Sequence, residues 1–177
     1  KLFAFYSLRR HYRLCFNTSI PTALVSDDQR LVAVNPIWPV IPKDAQVRFL
    51  EHGRAFHVAM LRGFLSHEAG HVRFSGEKPS GLLGDVWNSL EDERLERLMC
   101  QVHEDLTATF TMLGDLFAAR AQGSGGMRGE TIEGVLYWGW CYDQAQPVWQ
   151  AANQEQWQRI RLLVEAAWSA PDSEEVT

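Results

Sequence analysis

The stretch LRGFLSHEAGHVRFSG, Leu61–Gly76, decides how this chain is read, because it carries His67-Glu68-Ala69-Gly70-His71. Histidines four residues apart lie one turn apart on the same face of a helix, where both imidazoles can reach a single metal ion. Zinc accepts neutral imidazole nitrogens in a tetrahedral set. A glutamate next to the first histidine then falls beside the open coordination position rather than on the metal. Glu68 is therefore the expected general base for a water molecule. The motif alone is not decisive, so its surroundings must carry the rest.

Working outward, Val47, Leu50, Val58, Leu61, Leu65 and Val72 recur at helical spacings between Asp44 and Phe74. The pattern predicts one long helix, or two joined near Gly53, with Asp44 as N-cap and Ser75-Gly76 as stop. A loop, GEKPSGLLGD, leads to a second helical run from about Asp85 to Met99, and a third follows from about Glu104 to Ala121. Upstream, RLCFNTSIPTALVSDDQRLVAVNP mixes β-formers with turn residues and reads as two or three short strands, followed by a connector through Pro36, Pro39 and Pro42. Downstream, GSGGMRG separates this block from two tryptophan-rich helical segments, about Thr131–Gln144 and Asn153–Trp168. The expected organisation is a core over residues 1–122, a glycine-rich connector over 123–130 and a C-terminal helical extension over 131–177. The fold class is α+β, mostly helical, with a small N-terminal β-sheet or hairpin.

The third metal ligand is expected from NSLEDERLERLM, Asn88–Met99. Trp87, Leu95 and Leu98 share a stripe with Glu91, so its carboxylate should point to the apolar side of the helix. An unpartnered buried carboxylate is costly, and zinc would stabilise its ionised form. Asp92, Glu93 and Glu96 lie about 100°, 160° and 140° around the helix from Glu91 and suit solvent or salt bridges better. Glu91 is thus the expected third ligand, with pairing to an arginine such as Arg54 or Arg73 as its structural rival.

These residues resemble a family. HEAGH followed twenty positions later by a helical glutamate is similar to the gluzincin arrangement of zinc metallopeptidases. More narrowly, VAVNP, LRGFLSHEAGHVRFSG and NSLEDERLERLM together resemble the metallopeptidase-like domain of von Willebrand A-containing proteins, including relatives of the cobaltochelatase T subunit. The likeness spans about residues 30 to 100. It implies a zincin-like core, Zn2+ held by His67, His71 and Glu91, and Glu68 as catalytic acid/base. It also implies an AAA+ ATPase or von Willebrand A partner. Many gluzincins carry a carboxylate four residues after the ligand glutamate, bonded to a ligand histidine. Leu95 stands there instead, with Asp92 or Asn88 as possible substitutes.

The net charge of −5 and interspersed acids and bases leave no basic footprint for nucleic acid or an anionic membrane surface. No apolar run approaches the ~18 residues needed to cross a bilayer. Three widely spaced cysteines suit free thiols in a reducing, cytoplasmic compartment. Tyr137, Tyr142 and His103 are candidates to steady an oxyanion, whereas His57, ten residues before His67, is too far along the helix to share the ion. Two functions follow: a zinc peptidase acting on a polypeptide, or a metallopeptidase-like scaffold without catalysis.

Overall fold

A computed structural model describes residues 1–9, 11–26, 28–36, 43–124 and 154–172. A short helix α1 (Leu2–Ser7) precedes strands β1 (Arg13–Phe16), β2 (Ala23–Ser26) and β3 (Leu31–Val34). Among the described residues four longer helices follow: α2 (Lys43–Phe74), α3 (Gly81–Val102), α4 (Thr107–Ser124) and α5 (Gln154–Trp168), with a 3-10 turn over Glu104–Leu106 between α3 and α4. The chain is mostly helical with a small sheet, as the residue pattern predicts. Among the described residues, no helix is long and apolar enough to cross a membrane.

The sheet order is β1-β3-β2, with β1 parallel and β2 antiparallel to β3. The central strand reads LVAV because its middle is covered on both faces, and Val32, Ala33 and Val34 are all buried. β2 is an edge strand, and its approach is pinned by the buried Asn35. That side chain donates to the Ile20 carbonyl at 2.8 Å, and its own amide donates to Thr22 O at 2.7 Å.

Helix α2 is continuous through Gly53 and starts at Lys43, so Asp44 lies within its first turn rather than capping it. Met60, Phe64 and Ala69 face a core completed by Val32 and Val34 of the sheet, Phe3 and Tyr6 of α1, and Phe110, Leu113 and Phe117 of α4. α3 begins before Asp85 and is broken from α4 at His103, which settles that the second and third helical runs are separate. It lies between two neighbours, packing on α2 along one side and on α5 along the other. Trp87 of α3 meets Ala167 and Ala170, and the Arg97 guanidinium stacks over Trp168 at 4.6 Å.

Of the expected connector, Gly123 and Ser124 belong to the end of α4, while residues 125–130 and the expected helix Thr131–Gln144 lie outside the described residues. The connector through Pro39 and Pro42 and Cys141, expected as a free thiol, lie outside them too.

Candidate metal centre

HEAGH sits near the end of α2, where its small residues let a second helix come close. A methyl group at Gly70 would lie 2.7 Å from Leu95 Cδ1 and 3.2 Å from Met99 Cγ, and Ala69 is fully buried. This contact brings the middle of α3 against the last two turns of α2. The histidine rings stand side by side, their centroids 4.9 Å apart and their planes 78° from parallel.

The carboxylate brought between them is Asp92. Its Oδ1 lies 3.1 Å from His71 Nε2 and 3.5 Å from His67 Nε2. A tetrahedral zinc with ligands at about 2.0–2.1 Å requires neighbouring donors about 3.3 Å apart, a value these two distances bracket. Oδ1 is buried and receives no hydrogen bond of acceptable angle. Oδ2 takes one from Asn88 Nδ2 at 3.1 Å, which leaves Oδ1 turned to the imidazoles. A cation among the three groups would satisfy that oxygen, so these residues fit zinc. Among the described residues, His67, His71 and Asp92 are the one group of three or more side chains disposed to hold a metal.

Behind each imidazole stands an orienting partner. His67 Nδ1 is 2.8 Å from Glu96 Oε1, and His71 Nδ1 is 3.0 Å from Ser75 Oγ. Glu96 follows Asp92 by four residues on α3. The carboxylate that seemed to be missing at Leu95 is therefore present one position on, where it meets His67. Such partners hold the ring and its tautomer and are worth about 10–100-fold in metal affinity.

Glu91, the third ligand expected from the sequence, does not join the group of His67, His71 and Asp92. It is fully buried, as its apolar stripe predicts, but its partner is Arg94, which is also fully buried. Arg94 Nε and Nη2 grip the two carboxylate oxygens at 2.7 Å each, and Ser75 Oγ donates to Oε1 at 2.6 Å. The guanidinium also donates to the Phe74 carbonyl at 2.8 Å and to the Ala170 carbonyl at 3.3 Å. Neither expected arginine is the partner: Arg73 turns to Tyr6 O and His103, and Arg54 is exposed. α3 is covered on two sides, so its buried arc is wide enough for Glu91 on one flank and Asp92 on the other.

Glu68 is 8 % exposed on the wall of a cleft of about 460 Å³ that His67, His71, Asp92, Glu96 and β2 also line. Burial pushes its carboxyl up, an effect the two imidazoles and the Val25 amide only partly offset. Burial would likewise raise Asp92, but the imidazoles beside it hold it well below the ordinary carboxylate range. For His67, burial favours the neutral ring, yet Asp92 and Glu96 together raise it well above 6.5. Glu96 is itself pushed up by burial.

His103, a candidate to steady an oxyanion, does not line the cleft. It ends α3 with its ring 4.9 Å from that of Tyr6 and its Nε2 3.2 Å from Arg73 Nη1. Tyr137 and Tyr142 lie outside the described residues. The residue pattern assigns Asp92 and Glu96 to solvent or salt bridges, with Asp92 also a possible orienting group, and singles out neither Ser75 nor Arg94 for the site. The available signal was the row Asn88, Asp92, Glu96, spaced four apart beside the apolar stripe. Compared with family models, curated proteins and solved structures, the chain matches none.

Proposed function

We propose that this chain is a zinc-dependent peptidase domain with a zincin-like core, in which His67, His71 and Asp92 hold the metal and Glu68 moves the proton of the attacking water. The observation that carries the reading is Asp92 Oδ1, a buried carboxylate oxygen without a hydrogen bond, set 3.1 Å and 3.5 Å from two imidazole nitrogens. Two imidazoles and one carboxylate, with a further position open, form the donor set of catalytic rather than structural zinc. Glu68 supports the same conclusion, since a structural site has no use for a carboxylate beside its open position.

Zinc held there would supply Lewis acidity, making a coordinated water acidic near neutral pH and polarising the scissile carbonyl. The rest belongs to the chain's own groups. Glu68, raised by burial toward neutral pH, takes the proton from water and passes it to the leaving nitrogen. Glu96 and Ser75 keep the Nδ1 side of each imidazole engaged, so that Nε2 presents its lone pair. β2 borders the cleft as an edge strand, so an extended polypeptide would add along it through main-chain hydrogen bonds.

The catalytically silent scaffold loses one of its two motives, because Glu96 supplies the orienting carboxylate that Leu95 does not; the likeness to ATPase-coupled assemblies is its other. An AAA+ ATPase or von Willebrand A partner, implied by the family resemblance, would act by presenting substrate to this cleft.

The deciding experiment compares the zinc-loaded chain with Glu68→Gln on an unfolded casein substrate. We expect both to hold one zinc and the variant to cleave about 10²–10⁴-fold more slowly. Equal cleavage by both, or a zinc with all four positions filled by protein groups, would overturn the reading.

A further inference from the structure

The buried pair Glu91–Arg94 lies outside the metal position yet is tied to it through one hydroxyl. His71 Nδ1, Ser75 Oγ and Glu91 Oε1 form an unbroken path with steps of 3.0 Å and 2.6 Å, and Arg94 Nη2 closes it at 2.7 Å. Each group on this path has a forced role. A guanidinium can only donate, and an ionised carboxylate can only accept. Glu91 therefore accepts from Arg94 and from the Ser75 hydroxyl. With its proton committed to Glu91, Ser75 Oγ has only lone pairs to offer His71. Nδ1 must then carry the ring proton, which leaves the Nε2 lone pair free for a cation lying between it and Asp92 Oδ1, 3.1 Å away.

Local geometry holds the relay in place. Ser75 directly follows the end of α2, where its own amide donates to the His71 carbonyl at 3.0 Å, so hydroxyl and imidazole are set one turn apart. Glu91 and Arg94 are both fully buried, which keeps water from competing for the Ser75 proton. His67 has no such relay, because its Nδ1 meets the Glu96 carboxylate directly at 2.8 Å.

We propose that Ser75 is a positioning residue, oriented by the Glu91–Arg94 pair, that holds His71 in its Nδ1–H tautomer and thereby raises the zinc affinity of the site. The inference rests on the zinc reading above, but its tautomer half can be read without metal. The test uses the full chain, stripped of metal, as wild type, Ser75→Ala and Ser75→Thr. Nitrogen-15 NMR at mildly alkaline pH reports the His71 tautomer, and zinc affinity is measured by competition with a chromogenic chelator.

We expect His71 to be the Nδ1–H form in the wild type and a mixture in Ser75→Ala, with zinc affinity about 10–100-fold weaker. Ser75→Thr, which keeps the hydroxyl, should restore both. Urea unfolding of the metal-free variants separates this effect from simple loss of fold. An unchanged tautomer and affinity in a folded Ser75→Ala would overturn the role of Ser75 and leave the zinc reading standing. A wild-type chain that binds no zinc would overturn both.

Discussion

Replacing Asp92 and Glu91 one at a time separates ligand from structural carboxylate, because the two adjacent residues have different partners. Asp92→Ala removes one of the three proposed zinc donors, the carboxylate whose Oδ1 is set between the imidazoles. Protein zinc sites bind with about 10–16 kcal/mol shared over three or four ligands, so one ligand carries roughly 3–4 kcal/mol, or about 10²–10³-fold in affinity. Glu91→Gln instead leaves the fully buried Arg94 without its counter-charge. Breaking such a pair costs about 3–5 kcal/mol, a large part of a typical 5–15 kcal/mol fold. At a urea dependence of about 2 kcal/mol per molar, the unfolding midpoint should fall by roughly 2 M. Zinc affinity in the same variant should weaken only about tenfold, through the slackened Ser75 contact. Chelator competition and urea unfolding in EDTA, run on both proteins, read the two effects independently. A folded Asp92→Ala with wild-type affinity, or a Glu91→Gln of unchanged stability that no longer binds zinc, would refute this assignment.

Gly70→Val puts a branched side chain where even a methyl would lie 2.7 Å from Leu95 Cδ1, so we expect about 2–3 kcal/mol of lost stability and weaker zinc binding as α2 and α3 separate. Thermal melts and zinc titration check it, and a variant matching the wild type in both would show that the helices do not need this approach. The metal-free chain should lose stability as pH rises through neutrality. His67, raised well above 6.5, contributes fully below that value and stops contributing as pH climbs through its raised native value; Glu68 and Glu96, raised from 4.5, act in the same sense. Asp92, depressed from 3.8, opposes this only in acid, where its contribution disappears as pH falls. Zinc must displace the His67 proton, so the stabilisation it confers should grow with pH. Melts in EDTA and in zinc from about pH 6 to about pH 9 would contradict this if the metal-free chain became more stable with rising pH.

Much of the architecture was legible from residue pattern alone. The apolar spacing from Val47 to Val72 predicts α2, the Ser75-Gly76 stop falls at its end, and the three short strands lie within the β-rich stretch before Pro36. Helix starts were less legible. α3 begins at Gly81, within a segment whose Pro79 and Gly84 read as loop. In the site, His67, Glu68 and His71 were legible, because their relation depends on one helix only.

Whatever depends on spacing within a single helix, the sequence by itself determined: two imidazoles on one face, a glutamate beside them and a buried Glu91 on the next helix. Which α3 carboxylate meets the imidazoles was decided by tertiary structure. One residue is about 100° of rotation on a helix, so exchanging Glu91 for Asp92 needs only a modest change in how α3 is turned about its axis. That turn is set by contacts from elsewhere in the chain. Gly70 admits Leu95 on one side, while Ala167 of α5 and Ala170 just beyond it pack against Trp87, and the Ala170 carbonyl accepts from Arg94, on the other. No periodicity within residues 81–102 contains those partners, and so none could choose between two adjacent acids.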